Sequence, residues 1–551
     1  MADRHRHALS DVVTLKEPLG PHASEQIVFM GQEVFRELYD ETNVVHRSAQ
    51  TDNPFFIVGR KGAGKTAFLL GTAFADGADV IRIKSEDVYG KVNGLRLRYC
   101  ERNGPLVADE LVHVWEVLLF HAAMLAIARS EPLPESAERD RIWSYMTAYG
   151  DPAEIMVDDL LAAVCARMSD VLMGPQDLSF RHACWTIDTP LGALEDAAQA
   201  ARTILARTGV QAVYVVVDNL EDLHRQLEGF AEVITALLRL PSRSLEGYSL
   251  PFRTRFAFPA ELVPRLSALA ANPEKDFQQR LTVRWLASEL IVIAGNRLRT
   301  FLDLYFKAAP KRLGLPAQHD HRDRSAAELT LRAVLPPQIT NGLGRNEDPV
   351  AYLLRHTQLL PRQLIQIMNE IMSTAVVGLD PSDVPRATAS QVVAGVREAE
   401  KLIVSGILAT YQYEYPHIDK ALTLIKNQLL VVEPASNLHH VFNTAGVKRA
   451  GLDFDEFRDA CLGIGALGVV IDDDSHARVR SGHDRDRYIQ GRFSYTFDRG
   501  VRLVEDRDRV CVHPLFVQLL FDDHAVAAMA RNGQRAVYPY GSDPALDHHD
   551  V

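Results

Sequence analysis

The segment Gly59–Thr66 is the feature that most constrains what this chain can fold into. Its sequence fits the pattern G-x-x-x-x-G-K-[ST] at every fixed position. The apolar run Phe55–Val58 precedes it and predicts a buried strand, and the run Thr66–Thr72 predicts a helix. A glycine-rich loop between a strand and a helix N-terminus turns backbone N–H groups toward phosphate oxygens. The segment therefore predicts a phosphate-binding loop.

This loop predicts binding of ATP together with Mg²⁺. We expect Lys65 to reach the β- and γ-phosphates and Thr66 to ligate Mg²⁺. The candidate nucleotide-binding residues are Gly59, Arg60, Lys61, Gly62, Ala63, Gly64, Lys65, Thr66 and Ala67.

A second motif follows further along the chain. The apolar run Val210–Val217 predicts a strand that ends at Asp218. An apolar strand ending in aspartate is the Walker B pattern, so Asp218 would hold Mg²⁺ directly or through water. Glu221 or Asp222, just past the strand, would orient and deprotonate the attacking water.

Three further runs predict strands, at residues 79–84, 253–258 and 281–286. Residues 79–84 lie in sequence between the loop strand and the Walker B strand. A strand inserted between those two is the arrangement of the additional-strand ATPases. We therefore expect an α/β fold with a parallel sheet.

The C-terminal half predicts helices and a β-hairpin. Pro361 is suited to the first position of a helix, which places Arg362 in the first turn. Helices near 417–431 and 453–466 precede predicted strands at 487–497 and 509–512. Two helices followed by a hairpin form a winged helix.

These patterns divide the chain into five parts. They are a loose lead at 1–24, a P-loop ATPase domain at 25–308 with a helical insertion at about 131–209, a helical lid at 331–390, a winged-helix domain at 395–525 and a polar tail at 526–551.

The chain resembles bacterial P-loop ATPases of the STAND and origin-recognition-like branch of AAA+. The resemblance rests on Gly59–Thr66, on Val213–Glu221, on Phe256–Leu262 as the sensor 1 strand and on Leu360–Arg362 as the start of a sensor 2 helix. It implies an ATPase module, a lid carrying Arg362 as a catalytic sensor arginine, and a winged helix. Relatives act as ATP-dependent switches or loaders, often as oligomers, on DNA or in signalling that includes anti-phage defence.

One position departs from the family pattern. Residue 219 is Asn where standard AAA+ proteins have the catalytic glutamate. Glu221 then becomes the candidate, as in the D-x-x-[DE] variants, which implies slow hydrolysis.

Four arginines are candidates for an arginine finger offered to a neighbouring subunit, although a solvated surface position is the favoured interpretation of each. They are Arg253, Arg255, Arg265 and Arg284.

Composition limits the compartment and the partners. The five cysteines form no C-x-x-C pair, which argues against zinc and disulfides and favours a reducing cytoplasm. No apolar run approaches the ~18 residues of a membrane span, so we expect no membrane partner. The net charge is −12, which limits any nucleic-acid contact to a local patch.

Three functions remain open. The first is an oligomerising ATPase switch that presents its winged helix to a protein effector encoded separately. The second is an ATP-gated DNA-binding protein, which uses the arginine-rich segment 478–509. The third is a protein-interaction scaffold with a degenerate ATPase, which Asn219 would allow.

Overall fold

The computed structural model describes most of the chain. The described residues are 2–28, 31–39, 43, 46–49, 53–104, 106, 108–174, 179–218, 230–245, 250–269, 279–317, 320, 323–471, 488–495 and 508–542. They fall into two compact units. The parallel-sheet unit contains residues 41–60 and 65–283, and the mixed-sheet unit contains residues 1–40, 61–64 and 284–551.

A five-stranded parallel sheet forms the core of the parallel-sheet unit. Its order is β2-β3-β4-β1-β5, and every neighbouring pair is parallel. The strands Phe56–Gly59 and Val213–Asp218 are near-continuous apolar runs and are buried throughout, as expected where helices cover both faces of a parallel sheet. The strands are β1 (Phe56–Gly59), β2 (Asp79–Lys84), β3 (Val213–Asp218), β4 (Arg253–Pro259) and β5 (Arg280–Thr282).

All five predicted strands of this sheet are present, but one has a different place. In space, β4 separates the loop strand β1 from the Walker B strand β3, whereas β2 is an edge strand beside β3. Because the strands are parallel, the carboxyl ends of β1 and β3 meet at one edge of the sheet. That edge is where Gly59 and Asp218 lie.

Helices surround this sheet, and the insertion predicted to be helical contains four of them. The helices of this unit are Lys65–Ala75, Ser85–Asn103, Ala108–Arg129, Ala137–Thr147, Val157–Met173, Phe180–Trp185, Leu194–Thr208, Phe230–Leu245 and Val263–Leu269.

The helix Ala108–Arg129 corrects one expectation. By length and composition it is long and apolar enough to cross a membrane, contrary to what the sequence suggested. Its apolar window is entirely buried within the described structure, as in the core helix of a globular domain.

A second five-stranded sheet lies in the mixed-sheet unit. Its order is β12-β10-β9-β11-β8, with β10 and β12 parallel and the other pairs antiparallel. The predicted hairpin between 487–497 and 509–512 is therefore wrong, because β9 lies between those two strands. The strands are β8 (Val432–Pro434), β9 (Leu467–Ile471), β10 (Tyr488–Phe493), β11 (Arg509–Val512) and β12 (Ala536–Pro539).

The remaining elements of this unit are mostly helical. A two-stranded ribbon joins β6 (Ile339–Thr340) and β7 (Asn346–Glu347). Pro361 begins a helix as predicted, and helical segments also lie between residues 309 and 330, a polar stretch that the sequence analysis assigned to no domain. The helices are Ala2–Val12, Ser24–Val28, Gln32–Leu38, Ala287–Tyr305, Ala309–Arg312, Arg324–Val334, Pro349–Arg355, Pro361–Ala375, Ala389–Tyr411, Ile418–Leu424, Ala435–Thr444, Phe454–Gly463, Val517–Leu520 and Asp523–Arg531.

Both ends of the chain are more ordered than the sequence suggested. The lead expected to be loose forms the helix Ala2–Val12, and Leu19 N–H donates to Asn369 Oδ1 at 2.7 Å. The tail adds β12 to the second sheet, and the Tyr538 hydroxyl donates to the buried Glu347. Hydrogen bonds to residues far away in sequence hold these polar segments, and local composition does not reveal such pairings.

Candidate functional site

The backbone of the predicted loop explains two of its glycines. Gly62 and Gly64 have φ values of +88° and +82°. Residues with a Cβ rarely adopt this region, so glycine is the residue that reaches it without strain. These φ values turn the chain sharply between β1 and the helix that begins at Lys65.

Lys65 is held at the start of that helix. Its side chain is 7% exposed, and Nζ donates to the Gly59 carbonyl at 3.0 Å and to the Arg60 carbonyl at 3.4 Å. A buried ammonium needs such acceptors because desolvation of a charge is costly. The contacts keep the cation beside the first two residues of the motif.

Thr66 and Asp218 meet although they are 152 residues apart. The Thr66 hydroxyl donates to Asp218 Oδ2 at 2.7 Å. Thr66 follows β1 and Asp218 ends β3, so the carboxyl ends of two non-adjacent parallel strands bring the predicted metal ligands together.

Arg82 is a third member of this group, which the sequence analysis missed. Its Nη2 donates to the same Asp218 Oδ2 at 2.8 Å. The signal available in the sequence was an arginine near the carboxyl end of β2, the strand hydrogen-bonded to β3.

The oxygen atoms at this position fit Mg²⁺ bound to a nucleotide. A hydroxyl and a carboxylate are hard oxygen donors, and Mg²⁺ commonly takes one or two of them together with phosphate oxygens and water. No cluster of three acidic, histidine or cysteine side chains that could enclose a metal occurs among the described residues.

Arg362 contacts Gly62, a residue that belongs to the same unit. The Arg362 N–H donates to the Gly62 carbonyl at 3.5 Å, and a Cβ on Gly62 would lie 3.3 Å from the Arg362 Cβ. Within the described structure, Arg362 Nε is buried without a hydrogen-bond partner. An orphaned guanidinium N–H beside the loop fits an anionic ligand.

Trp285 also holds this part of the loop. Its indole N–H donates to the Ala63 carbonyl at 2.8 Å, and the ring lies 4.0 Å from where a Cβ on Gly64 would be. This half-buried tryptophan, which the sequence analysis did not single out as a site residue, fixes the orientation of the peptide group after Ala63.

The predicted catalytic acids are not located. Asn219, Glu221 and Asp222 lie outside the described residues. A further acid, Glu261, follows β4, the strand predicted to be sensor 1, and is 5% exposed. It lies past the same carboxyl edge of the sheet as Asp218, which makes it a third candidate for the catalytic acid, one that the sequence analysis did not select.

One of the four candidate arginine fingers is excluded. Arg255 is 1% exposed, its guanidinium donates to the Thr72 hydroxyl, and it lies 4.9 Å from the centre of the Tyr214 ring. A finger must reach a neighbouring subunit, so a core arginine cannot serve. Arg284 is exposed and Arg253 half-buried, while the side chain of Arg265 lies outside the description.

Comparisons with known proteins identify no family for this chain. No protein-family model and no curated protein matches the chain. Among solved structures, it is similar to the Aeropyrum pernix ORC2 protein (ADPNP-ADP complexes), with 11% identity over 90% of this chain and 97% of that chain. The TM-score is 0.37, too low to support an argument. The strand order and the loop geometry of this chain itself fit a P-loop NTPase fold.

Proposed function

We propose that this chain binds ATP with Mg²⁺ through Gly59–Thr66 and Asp218 and hydrolyses it slowly. The observation that carries the proposal is the 2.7 Å contact between the Thr66 hydroxyl and the Asp218 carboxylate. It brings together two motifs whose contacting residues lie 152 positions apart in the sequence. Their meeting at the carboxyl edge of a parallel sheet is what supports the proposal.

Each residue has a distinct task in this proposal. The loop N–H groups and Lys65 bind phosphate oxygens, and Thr66 and Asp218 provide the oxygen ligands of Mg²⁺. Mg²⁺ neutralises charge on the phosphates when it is bound. Glu221, or Asp222 in its place, accepts the proton of the attacking water. Arg362 senses the nucleotide from the start of its helix.

Calorimetric titration with Mg·ATP tests nucleotide binding. Lys65→Ala should lower the affinity about 10- to 100-fold, because charge-assisted hydrogen bonds worth ~1.5–3 kcal/mol are lost. The matched control is Lys307→Ala at an exposed lysine, which should bind as the wild type does. Equal affinity in Lys65→Ala and wild type would contradict the proposal.

Phosphate release tests hydrolysis. Glu221→Gln should keep ATP bound and lower turnover. Loss of turnover in Asp222→Asn alone would assign the role to Asp222. Binding without any turnover in the wild type would favour the scaffold with a degenerate ATPase.

We propose further that the protein is a cytoplasmic AAA+/STAND-like switch that forms homo-oligomers. In this proposal it presents its C-terminal domain to a separately encoded effector, and the biological setting is anti-phage defence. The support is the resemblance carried by Gly59–Thr66, Val213–Glu221 and Arg362. The particle mass with and without ATP tests assembly. An unchanged mass would remove the oligomer from the proposal.

A DNA-binding role through residues 478–509 is the second candidate. The observation in its favour is on β10, where Arg492 is exposed while its neighbour Phe493 is 5% exposed. This alternation leaves an arginine side chain accessible on the sheet.

A further inference from the structure

Two groups share one carboxylate oxygen at the proposed metal position. Asp218 Oδ2 accepts the Thr66 hydroxyl at 2.7 Å and Arg82 Nη2 at 2.8 Å. The first donor is a metal ligand of the proposed function, whereas the second is a cation. Asp218 Oδ2 therefore accepts hydrogen bonds both from Thr66, a proposed ligand of Mg²⁺, and from the positively charged Arg82.

The burial of Asp218 explains why a positive charge lies beside it. The Asp218 side chain is 3% exposed and that of Arg82 is 22% exposed. A buried carboxylate without a countercharge is strongly unfavourable, so removal of the cation that pairs with it destabilises a protein. In the metal-free protein, Arg82 supplies such a countercharge.

The position of Arg82 on its strand is suited to this contact. In the register of β2 and β3, Lys84 lies opposite Asp218, and Arg82 lies opposite Val216. The Lys84 side chain is nevertheless exposed, whereas the longer, planar group of Arg82 extends along the strand to the carboxylate. Arginine is favoured for buried carboxylate pairing because its guanidinium is weakly hydrated and always charged.

We infer that Arg82 is the resident countercharge of the metal site and that Mg²⁺ must compete with it for Asp218. This inference rests on the proposed function. A Mg²⁺ ion held by Asp218 would be repelled by the guanidinium that is hydrogen-bonded to the same carboxylate. Arg82 thus raises the Mg²⁺ concentration at which the nucleotide complex forms, and it stabilises the protein when the metal is absent.

Mg²⁺ titration of the thermal stabilisation by ATP tests this inference. Arg82→Gln, which keeps polarity and removes the charge, should lower the half-saturating Mg²⁺ concentration about tenfold, since a fixed competing charge is gone. The same variant should melt at a lower temperature without Mg²⁺. Mn²⁺ binding followed by electron paramagnetic resonance should show the same gain in metal affinity.

Two further variants keep the test decisive. Arg82→Lys retains the charge on a shorter group and should lower the Mg²⁺ midpoint by less than tenfold, a shift that can be measured against the wild type even if Arg82→Gln does not fold. Arg207→Gln, at the exposed pair of Arg207 with Glu138 in the same unit, should leave the midpoint unchanged.

The outcomes separate this inference from the proposed function. An unchanged or raised Mg²⁺ midpoint in Arg82→Gln, with ATP still bound, would overturn the competition and leave nucleotide binding intact. A wild-type protein that gains no stability from ATP at any Mg²⁺ concentration would overturn the proposed function itself.

Discussion

The backbone and the side chain of Arg362 have different surroundings, so a substitution can test the side chain alone. Its N–H donates to the Gly62 carbonyl, while its buried Nε has no partner within the described structure. Arg362→Ala keeps the N–H and the Cβ and removes the rest of the side chain, including the guanidinium. We therefore expect ATP-driven assembly and turnover to fall more than ATP affinity.

Light scattering with ATP and phosphate release measure this difference. Arg386→Ala, at an exposed arginine of the same unit, is the control. Wild-type assembly and turnover in Arg362→Ala would refute a sensor role.

Glu400 and His356 form a buried pair whose ionisation differs from that of exposed residues. His356 Nδ1 and Glu400 Oε1 are hydrogen-bonded, and Gln518 donates to the other carboxylate oxygen. Burial raises the pKa of Glu400 from 4.5 to about 8, although Gln518, Arg355 and Arg397 lower it. Burial likewise lowers the pKa of His356 well below 6.5. Both groups are therefore neutral in the folded protein near pH 7.

This pair predicts a stability that falls as the pH rises from about 6.5 to about 8. In that window the folded state keeps the Glu400 proton and the unfolded state does not, so the free energy of unfolding decreases by up to ~1.4 kcal/mol per pH unit. Below pH 6.5 the two effects oppose each other, because the unfolded state then also protonates His356. Glu400→Gln should flatten the slope above pH 6.5.

Thermal melts at several pH values measure this slope. Glu398→Gln, at an exposed neighbour on the same helix, should keep the wild-type slope. An equally steep decline in Glu400→Gln would show that other groups cause it.

At the scale of elements, the helices Ala287–Tyr305 and Arg324–Val334 are packed too closely for a side chain at Gly295. A Cβ there would lie 2.6 Å from the carbonyl carbon of Ala327. At Gly406, on the helix Ala389–Tyr411, a Cβ would meet nothing within 4 Å. The two glycines are therefore a matched pair with equal chemistry and different surroundings.

Alanine should consequently have opposite effects at these two positions. Gly295→Ala should destabilise by ~1–3 kcal/mol through overpacking, despite a better helix propensity. Gly406→Ala should stabilise by up to ~1 kcal/mol, since propensity alone acts there. The shifts in melting temperature decide the matter, and equal shifts would contradict the packing argument.

The elements also indicate what the sequence could predict. Strands of the parallel sheet were readable from short apolar or alternating runs, of which Val213–Val217 is the clearest, and the motifs at Gly59–Thr66 and Asp218 identify two of them. β9 was missed because the apolar run Leu467–Ile471 follows directly on the helix Phe454–Gly463. β12 was missed because its four residues lie in a polar tail and pair with a strand far away in sequence.

The candidate site was predictable to a similar degree. Lys65, Thr66 and Asp218 belong to motifs whose spacing is visible in the chain. Arg82 belongs to no motif, and its contact with Asp218 depends on the register of β2 and β3. Parallel neighbours such as β2 and β3 are far apart in sequence, so local periodicity does not show which strands pair.

At the scale of the whole molecule, charge is distributed unevenly. The chain has a net charge of −12, yet residues 478–509 contain nine arginines and six acidic residues, a difference of +3. Much of this segment, including Arg485 and Arg487, lies outside the described residues. The described Arg492 is exposed on β10, and Phe493 packs against His513 with ring centres 4.5 Å apart.

Binding to DNA should depend on this segment and on salt. Replacement of Arg485, Arg487 and Arg492 by glutamate should abolish DNA binding and leave ATP hydrolysis intact, because the change reverses a local phosphate-binding charge. The same replacement at the exposed Arg141, Arg181 and Arg386 adds equal negative charge elsewhere and should weaken binding much less.

The wild-type affinity for DNA, measured by mobility shift, should also fall with salt. A plot of the logarithm of the binding constant against the logarithm of the salt concentration should have a slope of about −0.9 for each phosphate contacted. A wild-type protein that shifts neither duplex nor single-stranded DNA at low salt with ATP present would leave a protein as the favoured partner of this domain.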